Sequence, residues 1–378
     1  MKKIKFAIIG CGYISTNHIR AIIDNFEDAE LISVCDLLKN RAELKADEYV
    51  KKAKENHLTV KRPTVFTDYR EMLKKENIDT CDICTISGYR TKISLYCMKL
   101  KKNVLVEKPM AMSLLEADMM IKTAKKNKVK LAVCYQNRFR PTIQKLRQAI
   151  DEGRFGRIIA GTARILWNRN REYYNQSKWK GTWELDGGCL MNQCSHNVDL
   201  LQWLMGSEID TVFGQTGNYL HPYIQTEDYG SIIIRFKNRS IGNIEGTVCV
   251  YPKNLEETLT ILGEKGTVMI GGLALNKIMV WDFADKKESL EEVQQKCNLE
   301  IENTYGKGHS PLYKNFIDSI RNNNSPLIDG YEGKKSLSIV LMAYKSQKYS
   351  RTINYNEGLN ISSEDFKGMF NEKIRKSI

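Results

Sequence analysis

At 378 residues the chain is too long for one ordinary hydrophobic core and long enough for two domains. With 42% hydrophobic and 27% charged residues it is globular, and no apolar run approaches the roughly 20 residues that span a bilayer, which argues against a membrane protein of helical type. The net charge of +13 would suit nucleic acid, but the lysines are spread along helices such as 39–56 and 122–130 without arginine–aromatic clustering. Solvated helix faces account for them, so no nucleic-acid partner is expected, and an anionic small substrate suits the balance.

Residues 4–9 read as a short apolar strand, followed by a glycine turn and a helix over about 12–25. This apolar start is too short for a secretory signal, and a cytoplasmic protein is the expectation. A second strand, 31–35, ends at Asp36, and a lysine-rich helix covers about 39–55. Then come a short strand at 65–66, a helix near 69–75, a strand at 81–86, a helix near 91–100 and a strand at 103–107. Ser113 and Glu116 have capping-box spacing for a helix over 113–127, and a strand at 130–134 closes the series near 138. Strand alternating with helix predicts an α/β fold, a doubly wound parallel sheet of Rossmann type over 1–138.

After a helix at 142–152 the pattern changes to β-rich runs at 157–167, 209–219, 228–236, 240–251, 256–263 and 266–271. They predict an α+β domain over 139–378, built on a mostly antiparallel, open-faced sheet. Helices at 192–205, 308–323 and 331–349 are available to cover one face.

Ten cysteines raise the question of metal or disulfides. Cys81 and Cys84 form C-x-x-C, but within a strand residues three apart point to opposite faces. No second C-x-x-C stands at zinc spacing, so reduced thiols and no metal are expected.

Gly10-Cys11-Gly12-Tyr13-Ile14-Ser15 fits G-x-G-x-x-small between a strand and a helix. The first glycine allows the tight turn, and the second lets backbone N–H groups approach a pyrophosphate at the helix N-terminus. Asp36, closing the second strand, can accept from an adenosine ribose, and its charge would repel a 2′-phosphate. NAD is therefore the expected cofactor. In Asn103-Val104-Leu105-Val106-Glu107-Lys108-Pro109 a buried strand ends in a lysine, at the place where open α/β sheets hold ligands. By itself the placement of Lys108 suits either a solvated surface lysine or an amine aimed at a bound cofactor and substrate; the glycine loop upstream favours the second.

The segment 187–201 supplies the second constellation. Read as a helix from about 192, it puts Asn192, His196 and Asp199 at i, i+4 and i+7 on one face. An amide one turn before a histidine and a carboxylate one turn after it suit proton handling. The preceding stretch is dense in Trp167, Arg169, Tyr173, Tyr174, Gln176, Ser177, Trp179, Lys180 and Trp183, which could grip a sugar and an anion or form an oligomer interface.

Taken as a set, the glycine loop, Glu107-Lys108-Pro109, residues 136–141, the 187–199 segment and Gly308-His309 ahead of 315–320 resemble the Gfo/Idh/MocA oxidoreductase family over essentially the whole chain. Within it Tyr173-Tyr174, Ser177, residues 179–183 and 190–193 are most similar to the nucleotide-sugar branch. The resemblance implies cofactor contacts from Gly10, Gly12, Tyr13, Ile14, Asp36, Ser87, Glu107, Lys108 and Gln136, and a candidate cis bond at Lys108-Pro109. It also implies that Lys108 and His196 flank the reacting carbon, with His196 as base, Lys108 polarising the oxygen and Asn192 fixing the sugar. Arg169, Ser177, Lys180 and Gln193 complete the substrate set. The chain departs from the family pattern at Ile86, Arg90, Cys189 and Cys194, and Lys180 stands where the branch usually has arginine, giving up its two-pronged fork.

The implied activity is NAD-dependent oxidation of the 3-hydroxyl of a UDP-linked N-acetylated sugar acid, for surface polysaccharide sugars. NADH is either released or reoxidised in place by a 2-oxo acid. A homo-oligomer, dimer or tetramer, is expected through the C-terminal sheet. The competing readings are a dehydrogenase of a free sugar or inositol and a non-catalytic NAD-bound regulator.

Overall fold

The computed structural model describes residues 2–300, 308–358 and 361–370. Among these the chain divides into two compact units. The first takes the residues up to Ala111, Glu116–Gln136 and the described part of 307–334. The second takes Met112–Leu115, the described part of 137–306 and the described residues from Lys335 onward. A reading in chain order assigns all of 139–378 to the second domain; in the structure residues 308–334 pack with the first.

The first unit holds β1 (Ile4–Ile9), β2 (Ala29–Cys35), β3 (Thr64–Phe66), β4 (Thr80–Ile83), β5 (Asn103–Glu107) and β6 (Leu131–Cys134). All pairs are parallel, in the order β3-β2-β1-β4-β5-β6. Helices α1 (Ser15–Asp24), α2 (Lys39–Glu55), α3 (Tyr69–Lys75) and α4 (Ser87–Lys99) connect strands. In β4, β5 and β6 all but one residue is buried, because helices cover both faces of the sheet; most are apolar, and Asp82 and Glu107 are the buried carboxylates among them. Strand order reverses between β1 and β4, which opens a crevice at their carboxyl ends. Gly10 closes β1 there and Cys84 follows β4. The helix at 114–127, α5, starts one residue after Ser113.

In the second unit α6 (Pro141–Asp151) begins on a proline, whose fixed φ suits the first turn. The sheet order is β13-β12-β11-β7-β10-β9-β8-β14. Its strands are β7 (Ile158–Leu166), β8 (Ile209–Gly217), β9 (Tyr229–Phe236), β10 (Ile241–Thr247), β11 (Glu256–Gly263), β12 (Gly266–Gly271), β13 (Lys277–Phe283) and β14 (Ile353–Asn354). Among the described residues of this sheet, β7 and β10 pair in parallel and the other pairs are antiparallel. β13 and β14 are edge strands that the sequence did not announce. β14 is two residues long and owes its existence to pairing with Val212 and Thr211, far away in sequence.

One expectation needs correction. The helix read as continuous from 192 is broken: α7 (Arg171–Asn175) is followed by a short α8 (Cys189–Asn192), and α9 (Ser195–Met205) starts anew after Gln193 and Cys194. α9 lies against β7, where Gly161 leaves room; a Cβ there would stand 2.7 Å from Leu201 and Met205. α10 (Leu290–Cys297), α11 (His309–Arg321) and α12 (Gly330–Tyr349) are the remaining described α-helices. No described helix is long and apolar enough to cross a membrane.

Candidate active site

In the first unit the glycine loop has the geometry that its residues suggest. Gly10 sits at φ +100°, and a Cβ on it would meet the Cys84 and Thr85 backbone at 2.7 Å, so only glycine fits. A Cβ on Gly12 would meet nothing within 4 Å, which leaves the loop open to a ligand. The first turn of α1 carries no acidic side chain, so its N–H groups present an uncompensated positive end. Asp36 Oδ2 accepts from Cys11 N–H at 2.8 Å and Oδ1 from Leu38 N–H at 2.9 Å. The carboxylate that was expected to face a ribose therefore also braces the loop. Tyr13 is exposed, Ile14 is the residue before α1, and Ser87 opens α4 almost buried. An open glycine loop, an anion-ready helix end and an acid closing β2 fit a dinucleotide.

Lys108 is half-buried just past the end of β5, and the Lys108-Pro109 bond is cis. Its N–H donates to Glu107 Oε2 at 3.1 Å. The Glu107 carboxylate is buried, with Oε1 3.1 Å from His18 Nε2. His18 Nδ1 lies 2.8 Å from the Tyr313 hydroxyl, which donates to Asp82. Burial alone would raise the Glu107 carboxyl; the His18 and His309 imidazoles and Arg90 hold it well below the ordinary range. Gln136, also buried, lies under Gly308, where a Cβ would stand 2.4 Å from the Gln136 carbonyl oxygen.

In the second unit Asn192, Gln193 and His196 are half-buried within a run that is otherwise buried from Asp186 to Leu201. Asn192 Nδ2 donates to Asp186 Oδ1, and Asp186 Oδ2 accepts from Gly181 N–H at 2.7 Å. Asp186 thus orients the amide, a role that sequence reasoning missed because only the turn at 181–187 brings the two together. Asp199 follows His196 by three residues. Its carboxylate takes a two-pronged grip from Arg138 at 2.7 Å and a hydroxyl bond from Ser336 at 2.8 Å.

Arg169, Tyr173, Lys180 and Gln193 form one cluster. Arg169 Nε donates to Gln193 Oε1 at 3.1 Å, and Gln193 Nε2 donates to Tyr173 Oη at 3.0 Å. The Arg169 guanidinium lies 5.2 Å and the Lys180 ammonium 3.7 Å from the Tyr173 ring centre. Lys180 Nζ also donates to the Tyr173 carbonyl and Gln176 Oε1, each at 3.0 Å. Burial pushes the Lys180 ammonium below its ordinary value. Neither cation makes an ion pair among the described residues. Ser177 lies in the intervening turn, half-buried.

Residues 4–135 match the oxidoreductase family's NAD-binding Rossmann fold, and residues 147–355 match its C-terminal alpha/beta domain. The chain belongs to the Gfo/Idh/MocA oxidoreductase family. Like other Gfo/Idh/MocA members it is an NAD-dependent dehydrogenase acting on a CH–OH group of a sugar or polyol. It is 36% identical to the WlbA dehydrogenase of Bordetella pertussis, solved with NADH and UDP-GlcNAcA, covering 93% of this chain and 98% of that one at a TM-score of 0.83. The Chromobacterium violaceum WlbA dehydrogenase, solved with the same two ligands, is also 36% identical, over 94% and 96% of the chains, at a TM-score of 0.82. Among curated relatives, the myo-inositol 2-dehydrogenase of Thermotoga maritima is 24% identical over 93% of this chain and 99% of its own.

Proposed function

We propose that this oxidoreductase oxidises the 3-hydroxyl of a UDP-linked N-acetylated sugar acid to the 3-keto sugar. The observation that carries the reading is the pair of cations Arg169 and Lys180, which share the Tyr173 ring and make no ion pair with a carboxylate among the described residues. A protein that buries charge normally pairs it. Two cations bound only to neutral groups among the described residues, one of them on Gln193 next to half-buried Asn192, suit a substrate that brings its own anions, a carboxylate or a diphosphate. Inositols and free sugars bring none. The 36% identity to two enzymes solved with UDP-GlcNAcA points the same way.

Bound NAD supplies the hydride acceptor. His196 takes the proton of the 3-hydroxyl, a role worth about 10²–10⁴-fold. Lys108 hydrogen-bonds the same oxygen as negative charge develops. Asn192, held by Asp186, fixes the sugar, while Arg169, Lys180 and Ser177 hold the acidic groups. A 2-oxo acid is the proposed acceptor when NADH is reoxidised in place. Assembly through the second unit's open sheet face is part of the same reading. Ile233, Ile241 and Leu262 are exposed there, with Ala160 paired between the last two.

The test is NADH formation with UDP-sugar acids, the matching neutral UDP-sugars and inositols. The acid should win by at least tenfold in kcat/KM. Faster turnover of myo-inositol, the substrate class of the curated relatives, would replace this reading with a polyol dehydrogenase.

A further inference from the structure

We infer that the first unit contains a binding site for a divalent transition metal of the zinc class, formed by His18, Glu107, Cys134 and His309. One donor atom from each residue lies within 4.8 Å of the other three, and all four residues are buried. They come from α1, the ends of β5 and β6, and the start of α11. His18 Nε2 is 3.1 Å and His309 Nε2 3.9 Å from Glu107 Oε1. The two imidazole rings meet edge-on, 5.4 Å between centres.

The donor chemistry selects the metal. Two imidazoles, a thiolate and a carboxylate make the mixed nitrogen, sulfur and oxygen set that zinc takes in four-coordinate sites. Calcium and magnesium would want oxygen throughout. A thiolate and a carboxylate balance a dication, so the filled centre is neutral, as a buried site requires.

The surroundings are arranged as a metal site needs. A ligating histidine is normally fixed through its other ring nitrogen. Here His18 Nδ1 lies 2.8 Å from Tyr313 Oη. Tyr313 gives its own proton to Asp82, so its oxygen accepts from Nδ1–H. That leaves Nε2 as the nitrogen facing Glu107, Cys134 and His309. A metal entering there displaces the Nε2 proton and the Cys134 thiol proton to solvent, and breaks no other covalent bond.

A second cluster shows the contrast. His221, Asp228 and Cys249 also lie close together. Asp228 Oδ2, however, already accepts the Leu220 and His221 N–H groups at 2.8 and 3.1 Å and His221 Nδ1 at 2.8 Å. His221 Nε2 is bonded to the Arg169 carbonyl at 2.7 Å. Those donors are spent on backbone groups, whereas Glu107 Oε1 is met by the His18 and His309 imidazoles of the cluster itself. The site also has a consequence for the enzyme, because Glu107 Oε2 accepts the Lys108 N–H. A metal on Oε1 would fix the end of β5 that presents Lys108.

The experiment uses the full chain, made in zinc-replete medium and desalted with NAD bound. Mass-spectrometric metal analysis should find about one zinc per chain, cut at least tenfold in Cys134→Ser and in His18→Gln. The cobalt-loaded wild-type protein should show the near-ultraviolet charge-transfer band of a thiolate ligand and the visible bands of tetrahedral cobalt. That spectrum needs no variant, so it decides the matter even where a substitution prevents folding. Zinc below about a tenth of an equivalent in NAD-binding protein overturns the inference. So does zinc that both variants retain, or a cobalt spectrum without the thiolate band.

Discussion

Arg138 and Asp199 form a two-pronged ion pair, Nε–Oδ2 and Nη2–Oδ1 both 2.7 Å, with neither side chain more than 1% exposed. Asp199 sits on α9, three residues after His196, and the Arg138 guanidinium stacks 4.8 Å from the Trp203 ring of the same helix. The pair fixes the helix that carries the proposed base. Removing one partner leaves a buried charge uncompensated. Asp199→Ala should therefore lower stability by about 3–5 kcal/mol in urea unfolding, while the double change Arg138→Met with Asp199→Leu should recover most of it.

Lys108 and His196 separate binding from chemistry. Lys108→Met should abolish turnover and leave NAD bound, as read by NADH absorbance and nucleotide stoichiometry. His196→Asn should cost about 10²–10⁴-fold in kcat. Turnover within a factor of a few of wild type in Lys108→Met would remove the lysine from the mechanism.

The cation pair predicts a selective KM effect. Arg169→Ala and Lys180→Ala should each raise KM for a UDP-sugar acid by about tenfold, the loss of one charge-assisted contact. KM for a neutral analogue should move far less. Lys180→Arg restores a fork and should keep or improve the acid's KM.

Glu227 makes stability depend on pH. It is fully buried; Oε1 accepts from Tyr344 Oη at 2.6 Å and Leu190 N–H at 2.9 Å, and Oε2 has no hydrogen-bond partner among the described residues. Burial pushes the carboxyl up to about 8, against the opposing pull of these bonds. Unfolded, it would titrate near its usual value of about 4.3. Between the two values the folded chain keeps a proton that the unfolded chain has lost. The contribution is thus complete below the unfolded value and lost as pH rises through about 8. Glu227→Gln should match wild type at about pH 4 and melt higher at about pH 9, a difference that thermal scans read directly.

Gly10→Ala tests the loop. With φ at +100° and backbone atoms 2.7 Å from the new Cβ, the turn must shift. NAD affinity and melting temperature should both fall. Gly12→Ala, with open space at that position, should lose NAD affinity at nearly unchanged melting temperature.

The sequence by itself determined the alternation of strands and helices, the glycine turn after β1, Asp36 at the end of β2 and Lys108 at the end of β5. These follow from short-range rules: apolar periodicity, the conformational freedom of glycine, and the exit of a strand at the sheet's carboxyl edge. Most β runs of the second unit were legible for the same reason. Tertiary structure decided what long-range pairing controls. The spacing put Asp199 one turn after His196, and it did not show the arginine 61 residues away that grips both its oxygens, because that pairing depends on two distant segments meeting in one core. The helix read through 192–205 breaks at Gln193 and Cys194, and Asn192 turns to Asp186. Residues 308–334 pack with the first unit, which brings His309 and Tyr313 to His18 and Glu107. No spacing in the chain announces that cluster, since its members approach only when four distant segments meet in one core.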